Sequence, residues 1–401
     1  MIKLLLSAFS EFPKSDVGGA NKIIFHILKY IDYKKFFVTY HSSHIQEDFK
    51  NPISLEHQIK SSLNLKKKVG SNLFQKQIIF RNFFSSSFYI NKYLKRCNRF
   101  FEAIQILPNI DILHSHDFRT LYYLKKFNIP KKILTIHSKG SFLNDLKYYT
   151  NTLSQKLLAD YSQMENESIN IADVITFPSY AAKDFFINEK KIQIDEDKIE
   201  IIYNGVDLEF IKTVKPEENF KERYSIPADV DVLLVNIADH IKVKHVDLVL
   251  KVVKYLKTVY KMKAFLINVG NGPLTKSLGR LSNKLNISDR VRFIGRLPYS
   301  EVIKLLKVSD CLVSAADKVV FDLIILEALA SGIIVIANES GGNKEAISNG
   351  FNGYLVKEFS VEEFGDTIVK CDKIIKLNAI ESAKKFDIKS MIENYQNLYL
   401  R

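Results

Sequence analysis

The chain has 401 residues, with 58 Lys+Arg against 45 Asp+Glu and a formal charge of +13. The length predicts two or three domains, and 46% hydrophobic with 26% charged residues excludes wholesale disorder. Three widely spaced cysteines, Cys97, Cys311 and Cys371, build neither a disulfide framework nor a zinc cluster and suit a reducing, cytoplasmic compartment.

The first apolar run begins like a signal core but stops at Glu11 and Pro13, so Ile2–Ala8 reads as a buried strand. No stretch reaches the ~18 apolar residues of a spanning helix. Gly18–Tyr30 has helical periodicity and Phe36–Tyr40 is a second strand. Between His57 and Phe100 there are ten cations, including Lys66, Lys67 and Lys68, no Asp or Glu, and interleaved aromatics such as Phe83, Phe84, Tyr89 and Tyr93. Three readings fit that insert: a solvated helix pair with its aromatics in the core, a dock for an anionic membrane surface, or a nucleic-acid-binding segment.

Strands are expected at Ile110–His114, Ile133–His137, Val174–Pro178 and Ile201–Tyr203. Asp207–Val230 is polar, contains Pro216 and Pro227, and suits a hinge. Beyond it, Val232–Ile237, Ala264–Val269, Val291–Ile294, Cys311–Ser314, Ile333–Ile336 and Gly353–Val356 read as strands. Val246–Tyr260, Leu274–Leu285, Ser300–Lys307, Leu323–Ala330 and Lys344–Ser348 read as helices. Strands alternating with helices indicate parallel β-α-β units. The expected fold class is therefore α/β, with two doubly wound domains that bind ligands at the carboxyl ends of their strands, in a cleft between them.

Two turns in the second half suit phosphate. Gly270-Asn271-Gly272 ends a strand and opens a helix, where an ordinary tight turn is the competing reading. Gly341-Gly342-Asn343-Lys344-Glu345 precedes a helix start, where backbone N–H groups and the dipole favour an anion. Glu345 would stabilise that helix end with or without a ligand. Glu327 is a carboxylate in an otherwise apolar helix, so it should face a cleft or a partner, and it suits a vicinal diol such as a ribose.

The stretch Ser314 to Val356 contains Phe321-x-Leu-x-x-Leu-Glu327-Ala-Leu-Ala-x-Gly332, Gly341-Gly342-x-x-Glu345 and Asn352-Gly353-Tyr354-Leu355-Val356. It closely resembles the nucleotide-sugar glycosyltransferases of family 4, which have the GT-B fold of two facing Rossmann-like domains and retain anomeric configuration. Gly18-Gly19 is similar to the family's glycine-rich loop under the donor phosphates. His114-Ser115-His116 and Thr135-Ile136-His137 resemble its two histidine-bearing strand ends.

The resemblance implies an acceptor-side domain at 1–206 that carries the basic insert 57–100. It further implies a linker at 207–230, a nucleotide-sugar domain at 231–376, and a C-terminal segment, 377–401, crossing back to the first domain. It implies that Glu327 accepts ribose hydroxyls and Lys244 neutralises the diphosphate. Backbone groups at Asp322, Leu323 and Ile324 would approach the same phosphates, and His116 would lie beside the sugar and acceptor. Asn343 and Glu345 would lie near the donor sugar, with no essential metal or other cofactor. The implied partners are a nucleotide-sugar donor and a lipid-linked or saccharide acceptor at the inner face of a membrane, in surface polysaccharide or lipopolysaccharide synthesis.

Three positions depart from the family pattern. Asp239 stands where an arginine is usual, Val319 where a glutamate is usual, and Asp322 where a glycine is usual. Asp239 should then point away from the diphosphate or be paired, with Lys242 supplying the lost charge and Asp317 substituting for the glutamate. A catalytically silent binding protein of the same fold and a nucleic-acid-binding protein are the alternatives.

Overall fold

The computed structural model describes residues 1–7, 20–41, 46–49, 109–138, 155–357, 359–371 and 375–401. The insert 57–100 and the Gly18-Gly19 loop lie outside the described residues. The chain divides into two compact units, one formed by Met1–Asn204 with Met391–Arg401, the other by Gly205–Ser390. The stretch 207–230, expected as a linker, thus lies within the second unit, where Leu208–Thr213 and Phe220–Arg223 are short helices. Of the expected C-terminal segment, only the part from Met391 belongs to the first unit.

The first unit is built on a seven-stranded sheet. Its strands are β1 (Ile2–Ser7), β2 (Phe36–His41), β3 (Gln46–Phe49), β4 (Ile112–Ser115), β5 (Lys131–Thr135), β6 (Val174–Phe177) and β7 (Ile199–Ile201), in the order β3-β2-β1-β4-β5-β6-β7. All neighbours pair in parallel except β3, an antiparallel edge strand on β2. Leu4, Leu5 and Leu6 of β1 are all buried, the continuous apolar run of a strand covered on both faces. The helix Ala20–Tyr30 buries Ile23, Ile24, Ile27 and Leu28, one stripe at helical spacing.

The second unit has six strands, all parallel: β8 (Val232–Ile237), β9 (Ala264–Val269), β10 (Val291–Gly295), β11 (Cys311–Ser314), β12 (Ile334–Asn338) and β13 (Tyr354–Val356). Their order is β10-β9-β8-β11-β12-β13, the order of a dinucleotide-binding sheet. The helix Val246–Val259 lays Val249, Val252, Val253 and Leu256 on Leu234, Leu266, Val313 and Ile336. Each such fully buried side chain contributes roughly 1.5–3 kcal/mol.

In each sheet the order reverses beside the first strand of the unit, between β1 and β4 and between β8 and β11. Such a reversal splays the following loops apart and leaves a crevice at the carboxyl ends of the strands. Among the described residues, no helix is long and apolar enough to cross a membrane.

Candidate functional site

In the second unit, the loops after β8, β9, β11 and β12 collect almost every residue singled out in that half. After β8 the chain makes a short 3-10 turn, Lys242–Lys244, that exposes Lys242 and half-buries Lys244. Lys244 Nζ donates to Asp322 Oδ2 at 2.7 Å. Asp322 stands at the N-cap of the helix Leu323–Ala330, yet its side chain makes no capping bond. The carboxylate is turned to the lysine instead, and the first-turn amides of Leu323 and Ile324 have no intrahelical acceptor by helix geometry. A cation thus lies beside the positive end of a helix dipole, a setting that favours an anion.

Glu327 lies one turn further along the same helix and is buried, 4% exposed. Asp239 Oδ1 accepts from Arg296 Nη2 at 2.8 Å, so the carboxylate expected to turn away or be paired is paired.

The glycine turns have a structural cause. Gly270 has φ +134°, and a Cβ there would come 1.9 Å from the Ala238 carbonyl oxygen. His240, fully buried, fixes the same turn: one ring nitrogen bonds Asn268 Oδ1 and the other Thr275 Oγ1, both at 2.8 Å. Burial lowers the His240 pKa and keeps the ring neutral, against the opposing pull of Asn268 and Asp239. Asn271 contributes through its backbone, accepting from His240 N–H at 3.1 Å, while its Oδ1 accepts from Gly272 N–H and Thr275 Oγ–H at 2.8 Å each.

Gly341 has φ +51°, and a Cβ there would come 1.8 Å from the Val319 carbonyl oxygen. Gly342 donates its N–H to that carbonyl at 3.0 Å, so this amide, expected to serve phosphate, is committed inside the protein. Val319 itself is buried, and its backbone braces the glycine turn. Asp317, considered as a replacement glutamate, accepts from Lys318 N–H at 2.7 Å and from Ser340 Oγ–H at 3.3 Å. Asn343 is buried, 1% exposed, with Nδ2 donating to the Asn338 carbonyl at 3.0 Å. Its Nδ2 locks the turn, while its Oδ1 is buried with no hydrogen-bond partner among the described residues. Glu345 is half-buried in the first turn of the short helix Asn343–Ala346.

In the first unit the corresponding strand ends carry histidines. His116 follows β4, its N–H bonded to the Ser7 carbonyl of β1 at 2.8 Å. Asp117 then caps the helix Phe118–Leu124 by accepting from Thr120 N–H at 2.9 Å, so His116 is pinned between a strand end and a helix cap. His116 Nδ1 lies 2.9 Å from His137 Nε2, and the two rings are nearly parallel at 12°. His114, whose ring centroid is 4.2 Å from that of His116, bonds Tyr399 Oη at 2.7 Å and Thr135 Oγ1 at 2.6 Å. Tyr399 and Tyr395, which packs on His114 at 5.2 Å, come from the segment Met391–Arg401.

Burial drives all three imidazoles toward the neutral form. His114 is pushed down to about 3, with His137 adding to burial, and His137 to about 4. His116 falls well below its ordinary value through burial and then through its two imidazole neighbours.

His240, Arg296, Tyr395 and Tyr399 escape a sequence reading. The last two carry a faint signal, a tyrosine pair spaced i, i+4 on one helix face.

Comparison with known proteins agrees with the fold. Residues 17–210 match the family model for Glycosyltransferase Family 4, and residues 217–387 match that for Glycosyl transferases group 1. N-acetyl-alpha-D-glucosaminyl L-malate synthase of Bacillus anthracis is 28% identical over 310 residues, 73% of this chain and 74% of that protein. Among solved structures, sucrose-phosphate synthase from Thermosynechococcus elongatus aligns with a TM-score of 0.72 at 16% identity, covering 100% of this chain and 98% of that one. Anabaena HepE in complex with UDP-glucose aligns with a TM-score of 0.67 at 16% identity, covering 99% of each chain.

Proposed function

The chain is a glycosyltransferase of the family 4, GT-B type, and from that premise we propose that it transfers a sugar, with retention, from a nucleoside-diphosphate sugar to an acceptor hydroxyl. The observation that carries this reading is the Lys244 ammonium beside the N-terminus of Leu323–Ala330. As the donor's C1–O bond breaks, negative charge develops on the leaving diphosphate. A fixed cation and helix amides stabilise that charge more than they stabilise the bound donor.

The acceptor oxygen bonds to C1 on the same face, and its proton passes to the leaving phosphate. Glu327 holds the ribose diol of the donor and His116 hydrogen-bonds the sugar or acceptor. Lys242 adds charge at the same turn, and Gly270 and Asn271 shape the neighbouring loop. The structures similar to this chain include one holding UDP-glucose, which supports a nucleotide-sugar donor. The basic, aromatic segment 57–100 supports a lipid-linked acceptor at an anionic membrane surface in polysaccharide or lipopolysaccharide synthesis. No essential metal or cofactor enters this mechanism.

The test is release of nucleoside diphosphate from a panel of nucleotide sugars, with lipid-linked and saccharide acceptors. Transfer that depends on one donor and one acceptor class is expected. Tight donor binding without turnover across the panel would overturn the proposal.

A further inference from the structure

The imidazoles of His116 and His137 share one hydrogen bond, and His116 Nε2 is buried without a partner among the described residues. Both rings are neutral, so across the 2.9 Å contact one nitrogen must donate and the other accept. If His116 Nδ1 accepted, its Nε2–H would be a buried donor with nothing to receive it, which costs the full desolvation penalty of that group. If His116 Nδ1–H donates, Nε2 is left as a buried lone pair, also unsatisfied in the unliganded protein but the more tolerated orphan, since buried N–H groups are the ones most rarely left unpaired.

His114 cannot decide between the two, because both its ring nitrogens are engaged, by Tyr399 and by Thr135. Nor do the three imidazoles form a metal-ligand set among the described residues. We propose that His137 is a positioning residue: by accepting the Nδ1–H of His116 it holds that ring in the tautomer whose Nε2 lone pair is directed to a hydroxyl-bearing ligand.

This inference rests on the reading of His116 as a sugar- or acceptor-side residue. Its consequence is chemical. An isolated imidazole prefers its proton on Nε2, and the pair reverses that preference. His116 then accepts a hydrogen bond from a substrate hydroxyl and does not donate one. The groups facing His116 are the imidazoles of His114 and His137, with the Tyr399 phenol behind His114, so no carboxylate among the described contacts draws a second proton onto the ring.

Long-range proton–nitrogen NMR on the full chain with 15N-labelled histidine reads the tautomer directly. The expected result is a protonated Nδ1 and a bare Nε2 at His116 in the wild type. In His137→Phe the proton should move to Nε2, and kcat should fall about 10- to 100-fold with little change in donor KM. His137→Gln, whose side-chain oxygen can accept the same proton, should restore most of kcat. An Nε2–H tautomer at His116 in the wild type would overturn the proposal. So would a His137→Phe variant with unchanged tautomer and rate. If the wild-type tautomer is as stated but His116→Ala turns over normally, the pairing stands and the transfer role assigned to His116 falls.

Discussion

Asp239 is ion-paired to Arg296 at 2.8 Å, across 57 residues of sequence, at the carboxyl ends of the second sheet. A carboxylate that would repel a diphosphate is thereby neutralised. The two side chains are 41% and 58% exposed, so the pair itself contributes only about 0–1 kcal/mol.

Asp239→Ala should therefore leave the urea midpoint almost unchanged. It should also free the Arg296 guanidinium and tighten nucleoside-diphosphate binding several-fold at low salt, an effect that fades as salt screens it. Titration calorimetry at two ionic strengths measures this; equal affinities of mutant and wild type would remove Arg296 from the neighbourhood of the donor.

Lys244→Ala should lower kcat by about 10²–10³-fold, the scale of losing one group that stabilises developing charge. Asp322 holds the same ammonium that the proposed mechanism gives to the diphosphate. Asp322→Asn should hence strengthen binding of free nucleoside diphosphate, read by fluorescence or calorimetry. Unchanged turnover in Lys244→Ala would mean that the phosphate site lies elsewhere.

The glycine turns should tolerate no side chain. In Gly270→Ala and Gly341→Ala the new Cβ meets a backbone oxygen at 1.9 and 1.8 Å, and both residues have positive φ. Each should lose more than about 2 kcal/mol of stability, visible as a fall in Tm of several degrees. Gly279→Ala, with nothing within 4 Å of its Cβ, is the control expected to hold or gain stability.

The buried histidines predict an acid-sensitive first unit. Their folded pKa values lie below 6.5, so between about pH 4 and 6.5 the unfolded chain binds more protons than the folded one. The stability they contribute is complete above pH 6.5 and is lost as pH falls toward about 4 for His137 and about 3 for His114. Each histidine adds a slope of up to about 1.4 kcal/mol per pH unit. Thermal scans from pH 7 to 5 should show a falling Tm, and a slope near zero would contradict the neutral cluster.

Much of the second sheet is legible from the sequence because its strands are short buried runs bounded by turns. Val232–Ile237 and Ala264–Val269 fall where periodicity puts them. The strand Gln46–Phe49 carries no such signal, being polar apart from Phe49 and, among the described residues, paired only with β2. β7 runs Ile199–Ile201 instead of Ile201–Tyr203, because one face of an edge strand accepts Glu200 and apolar continuity misleads there.

At the site, residue types can be read but their couplings cannot. Lys244 and Asp322 are 78 positions apart, and His114 and Tyr399 are 285 apart, so each partner is chosen by the fold. At the glycine turns the sequence leaves phosphate and an ordinary tight turn both open, and their packing against Ala238 and Val319 requires glycine under either reading.

The origin of Tyr395 and Tyr399 sets an order of events. The first unit draws these tyrosines from residues that follow the whole second unit in the chain. A ribosome therefore finishes the second unit before the histidine cluster of the first has its tyrosine wall. Until then His114 lacks the phenol that holds Nδ1, and the pocket stays unassembled. The chain cannot present a finished first unit alone: a copy truncated before Met391 holds every strand of the second sheet while the first lacks its closing tyrosines.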